Sequence, residues 1–446
     1  MLIQFSATNF LSFKDKVTLS LAAGKIKSKN HELDKGAIFS AINELPLLKC
    51  AVIYGANASG KSNIFEAVKF AKSFVINSSK ESQADESIPV TPYRLSTESQ
   101  VKASEFEIVF STNGKVYEYS FAVDSAAVHY EKLALHKKTR EITLFERDAK
   151  GIRLHKEFSE GDRLAEKTRS NALFLSVCAN FDGEISTSIL RWFRRIRVIS
   201  GLVDNGLMSF TQKCLEKKEG GESRQISSLL KSFDLGLERV TVGKQINDGL
   251  PNDMPEEVKS IFSQLKKLGN AKVQVMKRVE SFHKVFDDSG KIVGETAFDL
   301  DNDESEGSKK LVALSGPIVD TLNNSHVLLI DEFDARLHPI LSKTIIKLFN
   351  SEETNANNAQ LIVATHDTNL LDRDLLRRDQ IWFTEKDRFG SSHLTSLVEY
   401  KVRNDASFEK DYIMGKYGAI PILGNLADIF GVHEPDSAAA NEEHVV

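Results

Sequence analysis

The residues Gly55-Ala56-Asn57-Ala58-Ser59-Gly60-Lys61-Ser62 limit what this chain can become more than any other stretch. They fit the phosphate-loop pattern G-x-x-x-x-G-K-[ST] at every fixed position. The pattern carries weight only between a strand and a helix, and both flanks agree. Leu47-Leu48-Lys49-Cys50-Ala51-Val52-Ile53-Tyr54 is an apolar run that reads as one buried parallel strand. From Ser62 onward, Ile64, Phe65, Val68, Ala71 and Val75 recur near one face of a helix. Strand, glycine turn and helix N-terminus together form an anion cradle, because backbone N–H groups point inward and the helix dipole adds positive potential. Gly55 through Asn63 (Gly55, Ala56, Asn57, Ala58, Ser59, Gly60, Lys61, Ser62, Asn63) are the expected phosphate contacts. Lys61 would reach the β and γ phosphates of ATP, and the Ser62 hydroxyl would ligate Mg2+.

The chain has room for more than one unit around that loop. At 446 residues and 41% hydrophobic content it can bury a large core, and its length suggests two or three domains. A net charge of −5 gives no global signal of nucleic-acid binding, so any such surface must be local. Cys50, Cys178 and Cys214 lie far apart without metal-ligand spacing, which suits a reducing cytoplasm. The N-terminus does not resemble a signal peptide, and no apolar run is long enough to cross a bilayer. A cytoplasmic location and no membrane partner are expected.

A phosphate loop needs a carboxylate for its metal and a group to orient water. Val327-Leu328-Leu329-Ile330-Asp331-Glu332 supplies both: a strand buried on two faces, ending in acids where ligands of open α/β sheets bind. Asp331 is the expected second Mg2+ residue and Glu332 the expected general base. Leu361-Ile362-Val363-Ala364-Thr365-His366-Asp367 is a further buried strand with a polar end, which makes His366 a candidate γ-phosphate sensor. Lys61 and Asp331 stand about 270 residues apart, so a large segment is inserted between two pieces that must close on one another.

These residues resemble an ABC-type ATPase head of the chromosome-maintenance, RecF-like and OLD-like superfamily. Asn57 and Ser59 match that family's usual loop, and residues 3–13 are similar to its first hairpin. Asp331 through Pro339 resembles its second metal motif running into the D-loop, with Asp334 at the D-loop position, and Thr365-His366-Asp367 matches its histidine switch. Such heads carry a signature serine and glycine that cap the γ-phosphate of the opposite subunit. Ser305-Glu306-Gly307-Ser308-Lys309-Lys310 occupies that place, with Ser305 and Gly307 in those roles, in a shorter form than transporters use. The Q-loop glutamine is not assigned, Gln83 and Gln100 lacking convincing flanks. The segments 376–387 and 415–421 resemble bacterial phage-defence ATPases of the RloA and AbiL type, with the PARIS ATPase subunit more distant. The resemblance implies a head-to-head homodimer or higher oligomer, in abortive-infection defence, with a separately encoded effector nuclease, often TOPRIM-type.

The expected fold is therefore α/β: a P-loop ABC-type head, a mixed sheet with flanking helices, an antiparallel β lobe and an inserted helical subdomain. Residues 1–158 form the first half with the lobe, where Asn113-Gly114 marks a hairpin between residues 106–110 and 116–121, and 144–154 suggests another. Residues 159–280 are expected to be a mainly helical insertion without coiled-coil heptads, with loops near 217–222 and 247–252. Residues 281–425 form the second half, ending in strands at 380–384 and 393–399, and 426–446 a disordered tail. Arg191, Arg194, Arg195 and Arg197 around Trp192 make one dense basic cluster that could grip nucleic-acid phosphates. The acidic balance of the chain favours instead an amphipathic helix with an arginine-rich face. Asp299, Asp301 and Asp303 imitate a calcium loop but lack its glycine and terminal glutamate. About 80 residues after His366 leave no space for a nuclease in the same chain. The alternatives to a defence ATPase are a RecF-like DNA-repair clamp and a non-hydrolysing, nucleotide-dependent assembly scaffold.

Overall fold

Two sheets carry the fold, and the burial of alternate residues explains how they stack. The computed structural model describes residues 1–421 except 27, 29, 81–82, 84–85, 139, 203–204, 218–220, 247–274 and 404–405. The expected tail at 426–446 and the loop near 247–252 lie outside the described residues, as do the central positions of the loop near 217–222.

The chain opens with β1 (Leu2–Thr8) and β2 (Val17–Ser20), a short helix α1 (His31–Ala37), and a hairpin of β3 (Ile38–Ser40) and β4 (Pro46–Leu48). Strand β5 (Cys50–Gly55) leads into helix α2 (Lys61–Asn77). The expected single strand over 47–54 is thus two strands. Lys49 marks the break, its ammonium buried and donating to Ser351 O at 3.3 Å.

A meander follows: β6 (Ser104–Thr112), β7 (Lys115–Val123), β8 (Val128–Lys137), β9 (Arg140–Asp148) and β10 (Gly151–Leu154). With β1 and β2 it forms an antiparallel seven-stranded sheet in the order β10-β9-β8-β7-β6-β1-β2. Thr112 pairs with Lys115, and Asn113 and Gly114 both take positive φ (48° and 74°), the two-residue hairpin that Asn-Gly favours.

Helices α3 (Phe174–Asn180) and α4 (Glu184–Arg194) run into β11 (Ile196–Ser200), followed by α5 (Asn205–Glu216) and α6 (Glu222–Ser232). Strands β12 (Leu237–Ile246), β13 (Val275–Phe286) and β14 (Ile292–Asp299) make a separate antiparallel sheet. After the one-turn α7 (Leu300–Asp303) come α8 (Glu306–Asn324), β15 (Val327–Asp331), α9 (Pro339–Phe349) and β16 (Gln360–Ala364). The chain closes with β17 (Ile381–Lys386), β18 (Ser392–Ser396) and α10 (Phe408–Ile413); the last strand stops short of the expected 399, in a 3-10 turn.

The second sheet has the order β11-β15-β16-β5-β17-β18, parallel except for β18. Its central strands β5, β15 and β16 are apolar on both faces because both faces are covered. Ala51, Ile53, Val327, Leu329, Ile362 and Ala364 enter the core shared with the lobe, α2, α3 and α4. Their neighbours Cys50, Val52, Leu328, Ile330, Leu361 and Val363 enter a second core with α5, α6, α8 and α9. The period of two along each strand allots successive residues to opposite layers. Gln360 ties the two sheets: its side-chain amide donates to Leu2 O (2.9 Å) and Leu48 O (3.2 Å) and accepts from Leu2 N (2.7 Å).

The expected helical insertion over 159–280 needs correcting in its boundaries. Helices α3 to α6 stand there, but β11 within it is an edge strand of the parallel sheet, Ile196 to Ser200 pairing with Val327 to Asp331. Of the described residues beyond Leu237, Leu237–Ile246 and Val275–Phe286 are strand rather than helix. No described helix resembles a long rod, α8 being the longest at 19 residues. No helix among the described residues is long and apolar enough to cross a membrane.

Candidate functional site

The loop after β5 is held tightly from below and open above. Gly55 is pinned against β17: a Cβ there would collide with Thr384 Oγ1 and Ser59 Oγ, which themselves hydrogen-bond at 2.6 Å. Gly60 takes φ +112°, and a Cβ would lie 2.5 Å from Ser392 Oγ. No side chain among the described residues caps α2, so its first amides face the hollow of the loop. Asn57, Ala58 and Ser62 are exposed at the rim, and Ala56 and Asn63 partly so. Lys61 is buried and folds back, donating to Gly55 O (2.9 Å) and Ala56 O (3.0 Å). Burial pulls its ammonium down to about 8, against the raising influence of Asp331, Asp334 and Glu332. A concave amide-lined turn with a desolvated ammonium suits a polyphosphate, and the exposed Ser62 hydroxyl beside it suits the accompanying cation.

The acids come from the far half of the chain. Register alone places them: Asp331 ends β15, Val363 and Ala364 end β16 beside Val52 and Ile53, and all point to the edge where the loop sits. The turn after Asp331 is bound to its neighbours by backbone bonds, Phe333 N to Ala364 O (2.9 Å) and Gly201 N to Asp331 O (2.7 Å). Glu332 holds φ +49°, an uncommon conformation for an L residue. Gly201 lies so close that a Cβ would strike Glu332 O. Asp334 accepts from His366 N at 3.1 Å, linking the acidic turn to the turn after β16. His366 is exposed, and its imidazole is held below the ordinary range by desolvation first and the Lys61 charge second. Lys61, Asp331, Glu332, Asp334 and His366 thus share one electrostatic neighbourhood.

Ser305 and Gly307 stand at the start of α8, beside the acidic turn. Ser305 is the N-cap of α8, its hydroxyl accepting from Ser308 N at 3.1 Å, and it is exposed. Gly307 approaches Arg336 O, 3.2 Å from the position of a Cβ.

Several residues around the site escaped the sequence reading. Ser12 accepts from Asn63 Nδ2 (2.5 Å) and from Ser392 Oγ (2.8 Å), buttressing the loop from two distant segments. Thr384 does so from β17, and Gly201, just past β11, presses on the acidic turn instead. Lys310, fully buried, donates to carbonyls of the acidic turn. Isolated serines and threonines give no periodic signal, but a lysine inside an apolar helix stripe does. Trp192 is not available to stack a base: it is 3% exposed, with its ring 4.1 Å from that of Phe110. Arg191, Arg194 and Arg195 are exposed, while Arg197 pairs with Asp320 at 2.8 Å. Asp299 caps α7 by accepting from Asp301 N and Asn302 N, so it is engaged with backbone rather than arranged for calcium. Gln100 donates to Arg94 O and Gln83 is exposed; neither contact joins the loop.

The profile of the AAA_21 family, described as "AAA domain, putative AbiEii toxin, Type IV TA system", matches residues 50–372, well over half of the chain. The match runs from β5 past the turn that carries His366. Solved structures similar to the chain include an SMC head bound to the C-winged helix domain of ScpA, at 16% identity and TM-score 0.43, covering 89% of this chain and 97% of that one. The SMC head domain from Thermotoga maritima is 14% identical with TM-score 0.39 over 89% and 98%. The Smc head with an extended coiled coil bound to the C-terminal domain of ScpA, derived from Pyrococcus furiosus, is 14% identical with TM-score 0.37 over 93% and 98%. No curated protein matches at a significant level.

Proposed function

The chain belongs to the AAA_21 family, and from that membership we propose that it binds and hydrolyses ATP as an ABC-type ATPase whose active sites form between two copies. The observation that carries this reading is the convergence of the Lys61 ammonium, the Asp331, Glu332 and Asp334 carboxylates and His366 at one end of the parallel sheet.

The amides of residues 55–63 and Lys61 hold the triphosphate. Ser62 and Asp331 would hold Mg2+, which offsets charge on the β and γ oxygens when bound. Glu332 orients a water and accepts its proton as the water oxygen bonds to the γ phosphorus. The bond to the bridging oxygen breaks, and ADP leaves with the electron pair. His366, neutral near pH 7, donates one ring N–H to the γ-phosphate. Ser305 and Gly307 of a second copy close over the same phosphate, and Asp334 lies at the seam.

The family description couples this domain to a toxin of type IV toxin–antitoxin systems, which supports a place in bacterial conflict. We place the chain as a nucleotide-dependent sensor and scaffold in abortive-infection defence, restraining a separately encoded effector nuclease of TOPRIM type. Closure on ATP changes which state binds the partner, and a few kcal/mol of differential affinity suffices.

The test is phosphate release by the purified chain and by Glu332→Gln. The variant is expected to bind ATP but turn it over about 10²- to 10⁴-fold more slowly, the usual worth of a positioned base. A wild-type rate in Glu332→Gln would show that another group is the base. Co-purification with the product of a neighbouring nuclease gene supports the defence role. ATP-dependent DNA affinity with a steep salt slope would favour a repair clamp instead, and binding without turnover in the wild-type protein would favour a scaffold.

A further inference from the structure

Lys310 lies five residues into the segment that starts at Ser305, and it is fully buried. Its ammonium donates to Phe333 O at 3.0 Å and to Ala335 O, with Glu332 O at 3.5 Å. Burying an ammonium is costly unless its protons find acceptors, and three carbonyls of one turn match its three N–H groups. That turn has reason to need holding, since Glu332 (φ +49°) and Arg336 (φ +61°) both occupy the left-handed region. Two further ties join the same segments. Glu306 pairs with Arg336 Nη1 at 2.8 Å, and Gly307 permits the close approach to Arg336 O. The start of α8 and the 332–336 turn are thus fastened at three points.

We propose that Lys310 is a positioning residue that couples the two halves of a composite site. It binds the backbone under Glu332 and Asp334 to the helix start that touches the nucleotide of the other copy. The inference rests on the proposed ATPase reading and adds to it a direction of communication. When Ser305 and Gly307 meet the partner's γ-phosphate, the displacement of α8 is carried by Lys310 to the base of its own site. Engagement of its outer face then speeds hydrolysis in each head.

Lys310→Met removes the ammonium while keeping the length of the side chain. The expected result is unchanged affinity for a fluorescent ATP analogue and a fall in kcat on the order of 10²-fold, the cost of displacing a catalytic group by about an ångström. Specific activity, which in the wild type rises with protein concentration as copies pair, stays flat in the variant, and Lys310→Arg restores part of the rise. A merely structural role would lower melting temperature and affinity without flattening that dependence. A folded Lys310→Met protein with the wild-type concentration dependence overturns the coupling. If Lys310→Met does not fold, the exposed tie decides: Glu306→Gln combined with Arg336→Gln should weaken the same dependence, and an unaltered dependence overturns the proposal. A wild-type chain that hydrolyses no ATP at any concentration overturns the ATPase reading itself, and the coupling with it.

Discussion

Lys61 is held in the loop at a desolvation cost that the charge of a triphosphate would offset. Its folded pKa of about 8 is below the ordinary 10.5, with burial as the first cause. Between those values the folded chain binds fewer protons than the unfolded one. Lys61 therefore adds to stability as pH rises through that window, and its charged form is penalised below it. Phosphate oxygens would return the pKa upward. ATP binding near pH 8.5 is accordingly expected to take up a proton, seen as a calorimetric enthalpy that varies with buffer ionisation heat. Equal heats in all buffers at that pH would contradict the placement of Lys61 on the phosphates. Lys61→Ala should abolish or strongly weaken binding, because a cradle of amides alone lacks the charge that draws in the γ-phosphate.

Whole strands and helices decide where those side chains stand. Strands β5, β15 and β16 were legible as apolar runs because both of their faces are covered, so neither alternate set of residues had to be polar. Strand β11 was not legible. Arg197 interrupts its run, and only at the edge of the sheet, beside Asp320, can an arginine be placed there. Strand β12 and the start of β13 fell within the stretch that reads as charged and helical, because this small sheet is largely solvated: its third strand, β14, is exposed along nearly its whole length. The end of β11 has a functional consequence. Gly201→Ala should push on Glu332 O and lower turnover while leaving nucleotide affinity intact, as a comparison of kcat with the binding constant would reveal. Helix α4 offers a purely structural check. Trp192→Ala should cost about 3–5 kcal/mol in denaturant unfolding, since the indole lies between Phe110 and Phe193 in the core. A loss much smaller than that would return Trp192 to the surface.

For the molecule as a unit, the decisive question is whether one chain suffices. Ser305 is exposed at a helix start that packs against the acidic turn, while Lys61 is buried within the loop. Ser305→Arg should cripple turnover and leave binding by the single chain intact. Mixing Ser305→Arg with Lys61→Ala makes a sharper test, because a mixed pair regains one complete site from the intact loop of one copy and the intact helix start of the other. Activity is expected to reappear on mixing, although each variant alone is inactive. Silence from the mixture would argue for a site built within one chain.

Local patterning was enough to locate the phosphate loop, the strand ends bearing Asp331 and His366, and the Asn113-Gly114 hairpin, because each depends on neighbours within a few residues. Long-range meetings depend on which remote segments become adjacent, and no window of sequence contains that. Folding alone put Gln360 between the two sheets, Ser12 and Ser392 under the loop, Gly201 against Glu332, and the Lys310 ammonium among the carbonyls of the acidic turn. Buried polar groups must be satisfied wherever they land, and the three-dimensional packing selected their partners.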